Sequence, residues 1–328
     1  MADSKPVAST IERLIAGGGI RYGDPISWSG LTLVPVFTLY PAPFPYVLLA
    51  DAIAAGTAGI QEVGGGHVPT LRVVNKGSLP VLLVDGEHLV GVKQNRILNT
   101  TILVPERSTL DVPVSCVEAG RWSGSLREAR PESPTLFATA RARKAEAVTA
   151  SVRATGAYAA DQHEIWSDVA VVLDALDAHS PTAAMHEAYE RRGAELGDYL
   201  KHLPRRPGQT GVVAAVGDRI ACADVFDRPQ TLAGLWNRLV PAYAVEALAR
   251  PGAAGGVAAG GVSAADAAAF LGEARRATVT AHPAVGRGTD LRLSGDGLTG
   301  AALEVEGTVV HLAMFRVEGP KRSRPLVY

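Results

Sequence analysis

The sequence predicts an α+β protein with three successive parts: a β-rich first half, a helical middle block and a mixed last part. Short apolar runs separated by turn residues fill residues 20–125, and the hydrophobic period lengthens from about 2 to about 3.6 in residues 133–203. Period two then returns within residues 210–318. Because 47% of the 328 residues are hydrophobic, the chain can bury a sizeable core. We therefore predict one composite domain over residues 1–328, with these three sub-regions.

The β-rich half is expected to form an antiparallel sandwich or a barrel-like sheet. A strand-like run at 31–39 and a short helix ending at Gly56 precede several short β-type runs with turn residues between them. The pair Asp85-Gly86, between two apolar arms, predicts a tight type I′ hairpin. Several short strands at regular spacing favour a sandwich or barrel over βαβ units.

Three helices are predicted in the middle block. The first follows Ser133 as its cap and has Pro134 in its first turn. The second, within 161–178, is amphipathic and is expected to dock against the core. The third is a more polar helix over 182–203.

The last part is predicted to contain a hairpin, two helices and a β-meander. Gly217-Asp218 marks the hairpin turn, and an amphipathic helix covers residues 230–249. Ser263 and Asp266 cap the next helix, after which about four short strands follow. These patterns predict a C-terminal hairpin, helix and meander.

Charge and hydropathy exclude several classes of function. Lys and Arg total 32 against 33 for Asp and Glu, so the net charge of -1 provides no field to attract nucleic acid or anionic lipid. No run approaches the ~20 apolar residues of a membrane span. Cys116 and Cys222 lack a CxxC companion, which favours free thiols in a reducing compartment. We expect a cytoplasmic protein, and its small helical residues are compatible with a homo-oligomer.

Most signatures of catalysis are absent from the sequence. There is no P-loop, no GxGxxG opening a helix, no HExxH and no GxSxG elbow. His186 and Glu190 are four residues apart on a predicted helix, but two ligands without a third make a solvated surface the better interpretation. We therefore predict no metal site, and the sequence indicates no particular cofactor.

The candidate site lies in residues 85–122, where GVKQNRILNT (91–100) interrupts an apolar stretch with adjacent polar side chains. Strand alternation places Cys116 and Glu118 on one face, and Gln94 on the same face as Arg96. Glu118 at the end of an apolar row needs a cation or several N–H donors. Glu118 and Glu87 are the candidate general bases. The candidate ligand contacts are Gln94, Asn95, Arg96, Arg121 and Trp122.

Two further candidates have simpler structural interpretations. Cys116 can act as a nucleophile only if its sulfur is exposed beside a base, and a cysteine next to valines is more often a core residue. His311 alternates onto an apolar face, which favours a core histidine over a catalytic base. Asp290 and Arg292 lie on one side of a strand and are expected to pair.

The segments PVLLVDGEHLVGVKQNRILN (80–99) and VPVSCVEAGRW (112–122) resemble the hallmark of one protein family. It is the family of the ARG and rhodanese-phosphatase superfamily associated protein domain, and the resemblance extends over about residues 20–316. Its name implies nucleotide or ADP-ribose related biology without a catalytic assignment. The positions that match the family's pattern are Glu87, Gln94, Asn95, Arg96, Cys116, Glu118, Arg121 and Trp122.

Two hypotheses follow for the function. In the first, the GE, KQNR and SCVExGRW elements form a pocket that binds a small anionic or nucleotide-like ligand, with hydrolysis as an extension. In the second, the chain is a non-catalytic scaffold or subunit, and the same residues form a structural polar network. Convergence on an open cavity would favour the first, and polar atoms buried in one another would favour the second.

Overall fold

The computed structural model describes residues 8–16, 18–64, 69–91, 93–118, 129–131, 134–178, 181–250 and 261–317. Over these residues it contains eight α-helices, one 3-10 turn and seventeen strands, in sheets that are antiparallel apart from one short parallel pair. The chain is therefore an α+β protein, as the sequence predicts.

Four of the helices lie in the middle block, two precede it and two follow it. They are α1 (Ala8–Ala16), α2 (Leu49–Ala54), α3 (Ala138–Thr155), α4 (Gln162–Ala175), α5 (Met185–Arg191), α6 (Gly193–His202), α7 (Pro229–Leu248) and α8 (Ala264–Gly272). The 3-10 turn, Glu273–Arg275, follows α8 directly.

The strands are short in the first half and longer near the C-terminus. The first eleven are β1 (Ile20–Tyr22), β2 (Ile26–Trp28), β3 (Leu31–Thr38), β4 (Val47–Leu48), β5 (Ala58–Glu62), β6 (Thr70–Asn75), β7 (Val81–Leu83), β8 (His88–Leu89), β9 (Arg96–Leu98), β10 (Ile102–Val104) and β11 (Ser108–Cys116). The last six are β12 (Gly211–Val216), β13 (Arg219–Phe226), β14 (Thr278–Pro283), β15 (Thr289–Gly295), β16 (Leu298–Val305) and β17 (Thr308–Arg316).

A nine-stranded sheet joins the two ends of the chain. Its order is β1-β3-β12-β13-β17-β16-β15-β14, and β2 pairs with β3 at one side. The β12–β13 hairpin turns at Gly217-Asp218, and β14 to β17 form an antiparallel meander, as predicted. Because β3 pairs with β12, the first strands of the β-rich half belong to the same sheet as the C-terminal strands.

The rest of the β-rich half forms two smaller sheets. One has the order β5-β6-β11-β9-β8, and the other has the order β10-β7-β4. Their side chains form a separate hydrophobic cluster with α2. The candidate residues of 85–118 lie on the five-stranded sheet and on the turns that lead into it.

The nine-stranded sheet is buried on both faces at its centre. All six residues of β12 are buried: Val212 and Ala214 face the cluster that contains the middle helices and α7, whereas Val213 and Ala215 face α1 and α8. A strand covered on both sides reads as a continuous apolar run, which explains the near absence of polar residues in β12.

The first helix of the middle block begins later than predicted. It starts at Ala138, and Pro134 is not in its first turn, while Ser133 lies outside the described residues. The backbone N–H groups of Thr135 and Leu136 donate instead to the carbonyls of Arg238 and Gly86. Because Phe137 at the N-cap has no side-chain acceptor, Glu246 of α7 accepts a hydrogen bond from Thr139 N at 2.7 Å.

Two further local predictions were wrong. The predicted helix 182–203 is two helices, α5 and α6, with a break at Arg192 just before Gly193. At Asp85-Gly86, only the glycine has a positive φ, +78°, as in a type II turn. This turn connects β7 and β8, which belong to different sheets, so it is not a hairpin.

The capping prediction for the last helix is confirmed. Ser263 and Asp266 form a capping box, in which each side chain accepts the other residue's backbone N–H. Among the described residues, no helix combines the length and the apolar character needed to cross a bilayer.

Candidate functional site

The KQNR and SCVE elements meet at one end of the five-stranded sheet. β9 and β11 pair in antiparallel register, with Arg96 opposite Cys116. Gln94 lies two residues before Arg96 and reaches both of these side chains. The predicted shared face of Gln94 and Arg96 is therefore confirmed, and the pairing of β9 with β11 adds Cys116 to it.

Gln94 connects the two elements. Its Oε1 accepts hydrogen bonds from Arg96 Nη1 at 3.1 Å and from Cys116 Sγ at 3.0 Å. Its Nε2 donates to the backbone carbonyl of Glu118 at 3.2 Å. An amide supplies the donor and the acceptors that this position needs, and a carboxylate would have no N–H for the carbonyl of Glu118.

Two neutral groups donate hydrogen bonds to the Glu118 carboxylate. Its Oε2 accepts from Asn95 N at 3.2 Å, and its Oε1 accepts from Thr182 Oγ1 at 2.9 Å. Thr182 precedes α5, so the middle block supplies part of the site. The predicted contribution of Arg121 and Trp122 lies outside the described residues.

These side chains are all buried, with Gln94 the most exposed at 6%. We refer to Gln94, Asn95, Arg96, Cys116 and Glu118 as the KQNR network. Burial raises the pKa of the Cys116 thiol, and Arg96 beside it only partly offsets this rise. Cys116 and Cys222 are both free and buried, so the prediction of two unpaired thiols is confirmed.

Glu87 is engaged away from the KQNR network. Its Oε1 accepts from Arg238 Nη1 of α7 at 2.6 Å, and its Oε2 accepts from Val84 N at 2.8 Å. The side chain is 1% exposed. Burial raises the pKa of Glu87, and the nearby Arg238 offsets this rise only in part. Among the described residues, no hydrogen bond joins its side chain to the network.

Gln162 is a contact of the site that the sequence does not assign. Its Oε1 accepts from Cys116 N at 2.7 Å, and its Nε2 donates to Cys116 O at 2.6 Å. β6 pairs with β11 only as far as Pro113, so this side-chain amide stands where a neighbouring strand would continue. Such a contact depends on the packing of α4 against β11, which strand alternation cannot reveal.

A second buried network, not predicted as such, lies between α3 and the nine-stranded sheet. Arg141 donates to both oxygens of Asp224, at 2.8 and 2.7 Å, and to Asp85 at 3.2 Å. Lys144 bonds to the other oxygen of Asp85. We call Asp85, Arg141, Lys144 and Asp224 the ion cluster. It holds two carboxylates and two cations, so its formal charges balance.

The pKa shifts in the ion cluster follow from burial and pairing. Burial lowers the pKa of Lys144 to about 8, although Asp85 opposes this change. Burial alone would raise the pKa of Asp224, but Arg141 and His311 outweigh it and hold that pKa far below its usual value. Tyr243 also donates to Asp224, at 2.5 Å. The cluster satisfies its own charges, which is typical of a structural role.

His311 lies in the core, as predicted, and has two hydrogen-bond partners. Its Nδ1 lies 2.7 Å from Thr101 Oγ1, and its Nε2 lies 3.1 Å from Asp224 Oδ1. The ring stacks on Phe226 with centroids 4.4 Å apart, and it is 1% exposed. This arrangement orients Asp224 and leaves no ring nitrogen for a substrate.

The polar run after Arg96 connects the small sheet to the C-terminal half. Asn99 donates to the carbonyl of Tyr158 and accepts from Ser115 Oγ. Thr100 donates to Asp290, which also forms the predicted pair with Arg292. These polar residues of GVKQNRILNT have buried hydrogen-bond partners. The sequence shows that partners are needed, but it does not show which residues they are.

The described residues contain no group of three potential metal ligands. His186 Nε2 lies 2.8 Å from Glu190 Oε1, so these two residues pair with each other. A cleft of about 420 Å³ lies elsewhere, next to α8, and no network residue lines it. Two of its lining residues, Arg316 and Glu273, form a bidentate ion pair.

The fold and the site define an α+β protein with polar networks buried where its sheets meet. The chain belongs to the family of the ARG and Rhodanese-Phosphatase-superfamily-associated Protein domain, whose profile matches residues 19–315. The resemblance drawn from the GE, KQNR and SCVE elements is thereby confirmed over nearly the whole chain. No curated protein and no solved structure matches it.

Proposed function

We propose that the chain binds a small anionic or nucleotide-like ligand at the KQNR network. The observation that carries this proposal is the Arg96 guanidinium, which is 0% exposed and lies beside the amide of Gln94 and the thiol of Cys116. Apolar residues of similar volume often stabilise a fold as well as buried charged groups do. Placing these costly groups together therefore favours a functional role for them.

The chemistry of the network fits an anionic ligand. Arg96 has a planar fork of donors suited to carboxylate or phosphate oxygens, and Gln94 supplies a donor and an acceptor on the same face. If the ligand is also hydrolysed, we assign Glu118 as the general base, since Glu87 is held by Arg238. The family description is compatible with a nucleotide-like ligand. The proposal includes a cytoplasmic location, which suits two free thiols.

A second candidate function is a non-catalytic scaffold or subunit. It is favoured by the hydrogen bonds that join Gln94, Arg96 and Cys116 to one another, and Glu118 to Asn95 and Thr182. In that case the network specifies the packing of the sheet on the middle block and binds nothing. A homo-oligomer belongs to this second proposal.

A thermal-shift screen against nucleotides, ADP-ribose and sugar phosphates separates the two proposals. A ligand at a hundredfold excess over its dissociation constant stabilises the folded state by ~2.7 kcal/mol. We expect the shift to disappear in Arg96→Lys, which keeps the charge but loses the planar fork. Arg72→Lys, on an exposed strand position, is the matched control and should keep the shift.

Two outcomes would contradict ligand binding at this site. One is an absence of any shift in the wild-type protein, together with an Arg96→Lys protein that melts much earlier. The other is a ligand shift that Arg96→Lys retains in full. The first outcome supports the structural role, and the second moves the binding site elsewhere on the molecule.

A further inference from the structure

At the end of β11, one edge is paired with β9, and the other edge is covered by a helix rather than by a neighbouring strand. Val117 N donates to Asn95 O at 3.1 Å, on the side of β9. The N–H and C=O of Cys116 are instead bound by the side-chain amide of Gln162, the first residue of α4. When α4 moves away, both backbone groups of Cys116 lose their partners on this edge, while Asn95 O and Met185 N still bond to the backbone of Val117.

α4 is attached by one face that is imperfectly packed. Ile165, Val169 and Leu173 bury that face in the core, while Val171 on the outer face is 65% exposed. Trp166 Nε1 and Asp168 Oδ2 are buried on α4 without a hydrogen-bond partner among the described residues. Buried polar atoms without partners cost free energy, so they lower the stability of the docked helix. Elements that move in proteins generally belong to the less stable parts of the fold.

Charge at the inner face weakens the docking of α4 further. Asp168 is 5% exposed, and burial raises its pKa to about 6, with Glu164 acting in the same direction and Arg143 of α3 opposing it. Glu146 of α3 and Glu246 of α7 add carboxylates to this surface. Arg143 forms an ion pair with one oxygen of Asp168, but the other oxygen is buried without a partner in the described part of the chain. At neutral pH the docked helix therefore holds a charge that is compensated only in part.

We propose that α4 is a lid held by the side-chain amide of Gln162: its local undocking breaks the Gln162–Cys116 hydrogen bonds and exposes one edge of the end of β11, which admits the ligand to the KQNR network. The ligand in this statement rests on the proposed function. The undocking itself is a property of the chain alone. Gln162 is thus a positioning residue, acting through the backbone of Cys116.

Hydrogen exchange of the full chain without ligand tests the lid. Peptides from α4 and from the end of β11 should exchange together, at least tenfold faster than peptides from β12 and β13. In Gln162→Leu the end of β11 should exchange at least tenfold faster than in the wild type, with β12 and β13 unchanged. Gln230→Leu, an exposed glutamine in the first turn of α7, is the matched control and should change neither region.

Gln162→Glu provides a graded variant. Its carboxylate still accepts from Cys116 N but cannot donate to Cys116 O, so exchange at the end of β11 should fall between the wild type and Gln162→Leu. This variant carries the test if Gln162→Leu does not fold. Cys116 should also react with a thiol reagent faster than Cys222 in β13, and Gln162→Glu should increase only the rate of Cys116.

Two results would overturn the lid. One is exchange of α4 and the end of β11 only at the rate of β12 and β13, which would mean global unfolding. The other is a Gln162 variant that accelerates all regions equally. An absence of ligand shifts together with local opening would defeat the proposed function and leave the lid intact, so the two failures are distinguishable.

Discussion

At the scale of single residues, the ion cluster shows the difference between buried and exposed pairs. Arg141 and Asp224 are both 0% exposed, whereas Arg72 and Asp111 form a similarly bidentate pair with side chains about 40% exposed. Water screens the exposed pair and compensates for the loss of either partner. The buried pair has no such substitute, so each partner is indispensable to the other.

We expect Asp224→Asn to destabilise the protein by ~3–5 kcal/mol, because it leaves the Arg141 charge underpaired in the core. Asp111→Asn should cost about 0–1 kcal/mol. Urea unfolding of both variants provides the comparison. Equal losses in the two variants would show that burial does not govern these pairs.

His88 is a second residue whose burial has a measurable consequence. Its ring is 0% exposed, and neither nitrogen has a hydrogen-bond partner in the described structure. Burial lowers its pKa to about 3, and the nearby His186 adds to this effect. The unfolded chain, with an ordinary histidine pKa, therefore binds a proton that the folded chain rejects.

The sign of the resulting pH dependence follows directly. Above pH 6.5 the contribution of His88 is fully present, and it is lost as the pH falls from 6.5 towards 3. Each pH unit in this window should cost up to ~1.4 kcal/mol. His88→Phe should reduce the slope of unfolding free energy against pH, while His163→Phe, at an exposed position, should not. An unchanged slope in His88→Phe would show that the ring is not buried as a neutral group.

At the scale of elements, local signals were sufficient where the stabilising contact is local. The Ser263–Asp266 box and the Gly217-Asp218 turn each lie within four residues of the sequence, and both were predicted. The start of α3 was not, because its acceptor, Glu246, lies more than 100 residues away in α7. Arg141 and Lys144 were missed for a related reason: their partners, Asp85 and Asp224, lie on other elements far away in the sequence.

The capping of α3 by another helix predicts a specific pair of variants. Glu246→Ala removes the acceptor for Thr139 N and should cost ~1 kcal/mol, the usual value of a lost N-cap. Glu246→Gln keeps an oxygen acceptor and should cost clearly less. Thermal unfolding of both proteins measures the difference. Equal losses would mean that the charge, rather than the hydrogen bond, matters at this helix end.

The turn between β14 and β15 docks closely on β10. Arg287 N donates to Leu103 O at 2.8 Å, and a Cβ on Gly286 would lie 2.3 Å from the same carbonyl oxygen. We expect Gly286→Ala to destabilise the protein by ~1–3 kcal/mol through this overlap. Gly272→Ala in α8 meets no atom within 4 Å and should stabilise by ~0.4–1 kcal/mol. Differential scanning calorimetry compares them, and a neutral Gly286→Ala would show that the turn can move away from β10.

At the scale of the whole molecule, the sequence predicted the composition of the parts but not how they connect. The strands of the first half were expected to form a sandwich or barrel-like sheet among themselves, whereas β1 to β3 lie in the same sheet as the C-terminal strands and the others form two smaller sheets. Alternation shows that a strand has a buried face without identifying its neighbour. For the site, alternation correctly placed Gln94 on the same face as Arg96. It could not supply Gln162 or Thr182, which reach the network through helix packing.

These connections predict cooperative unfolding. Asp85 links the turn after β7 to α3, and Arg141 of α3 links it to Asp224 of the large sheet. Asp85→Asn should therefore lower the free energy of opening, measured by hydrogen exchange, by the same amount in β6 and in β12. Separate shifts in the two regions would show that the small sheets form an independent unit.

The pairing of β3 with β12 has a consequence for synthesis on the ribosome. Val36 pairs with Gly211, so more than half of the chain must be translated after β3 before its partner exists. At 5–20 residues per second this delay is on the order of ten to thirty seconds. During that time β3 presents an apolar strand with an unpaired edge, which is the type of segment that chaperones protect from aggregation. Nascent chains arrested before residue 211 should therefore be captured by chaperones more strongly than released full-length protein.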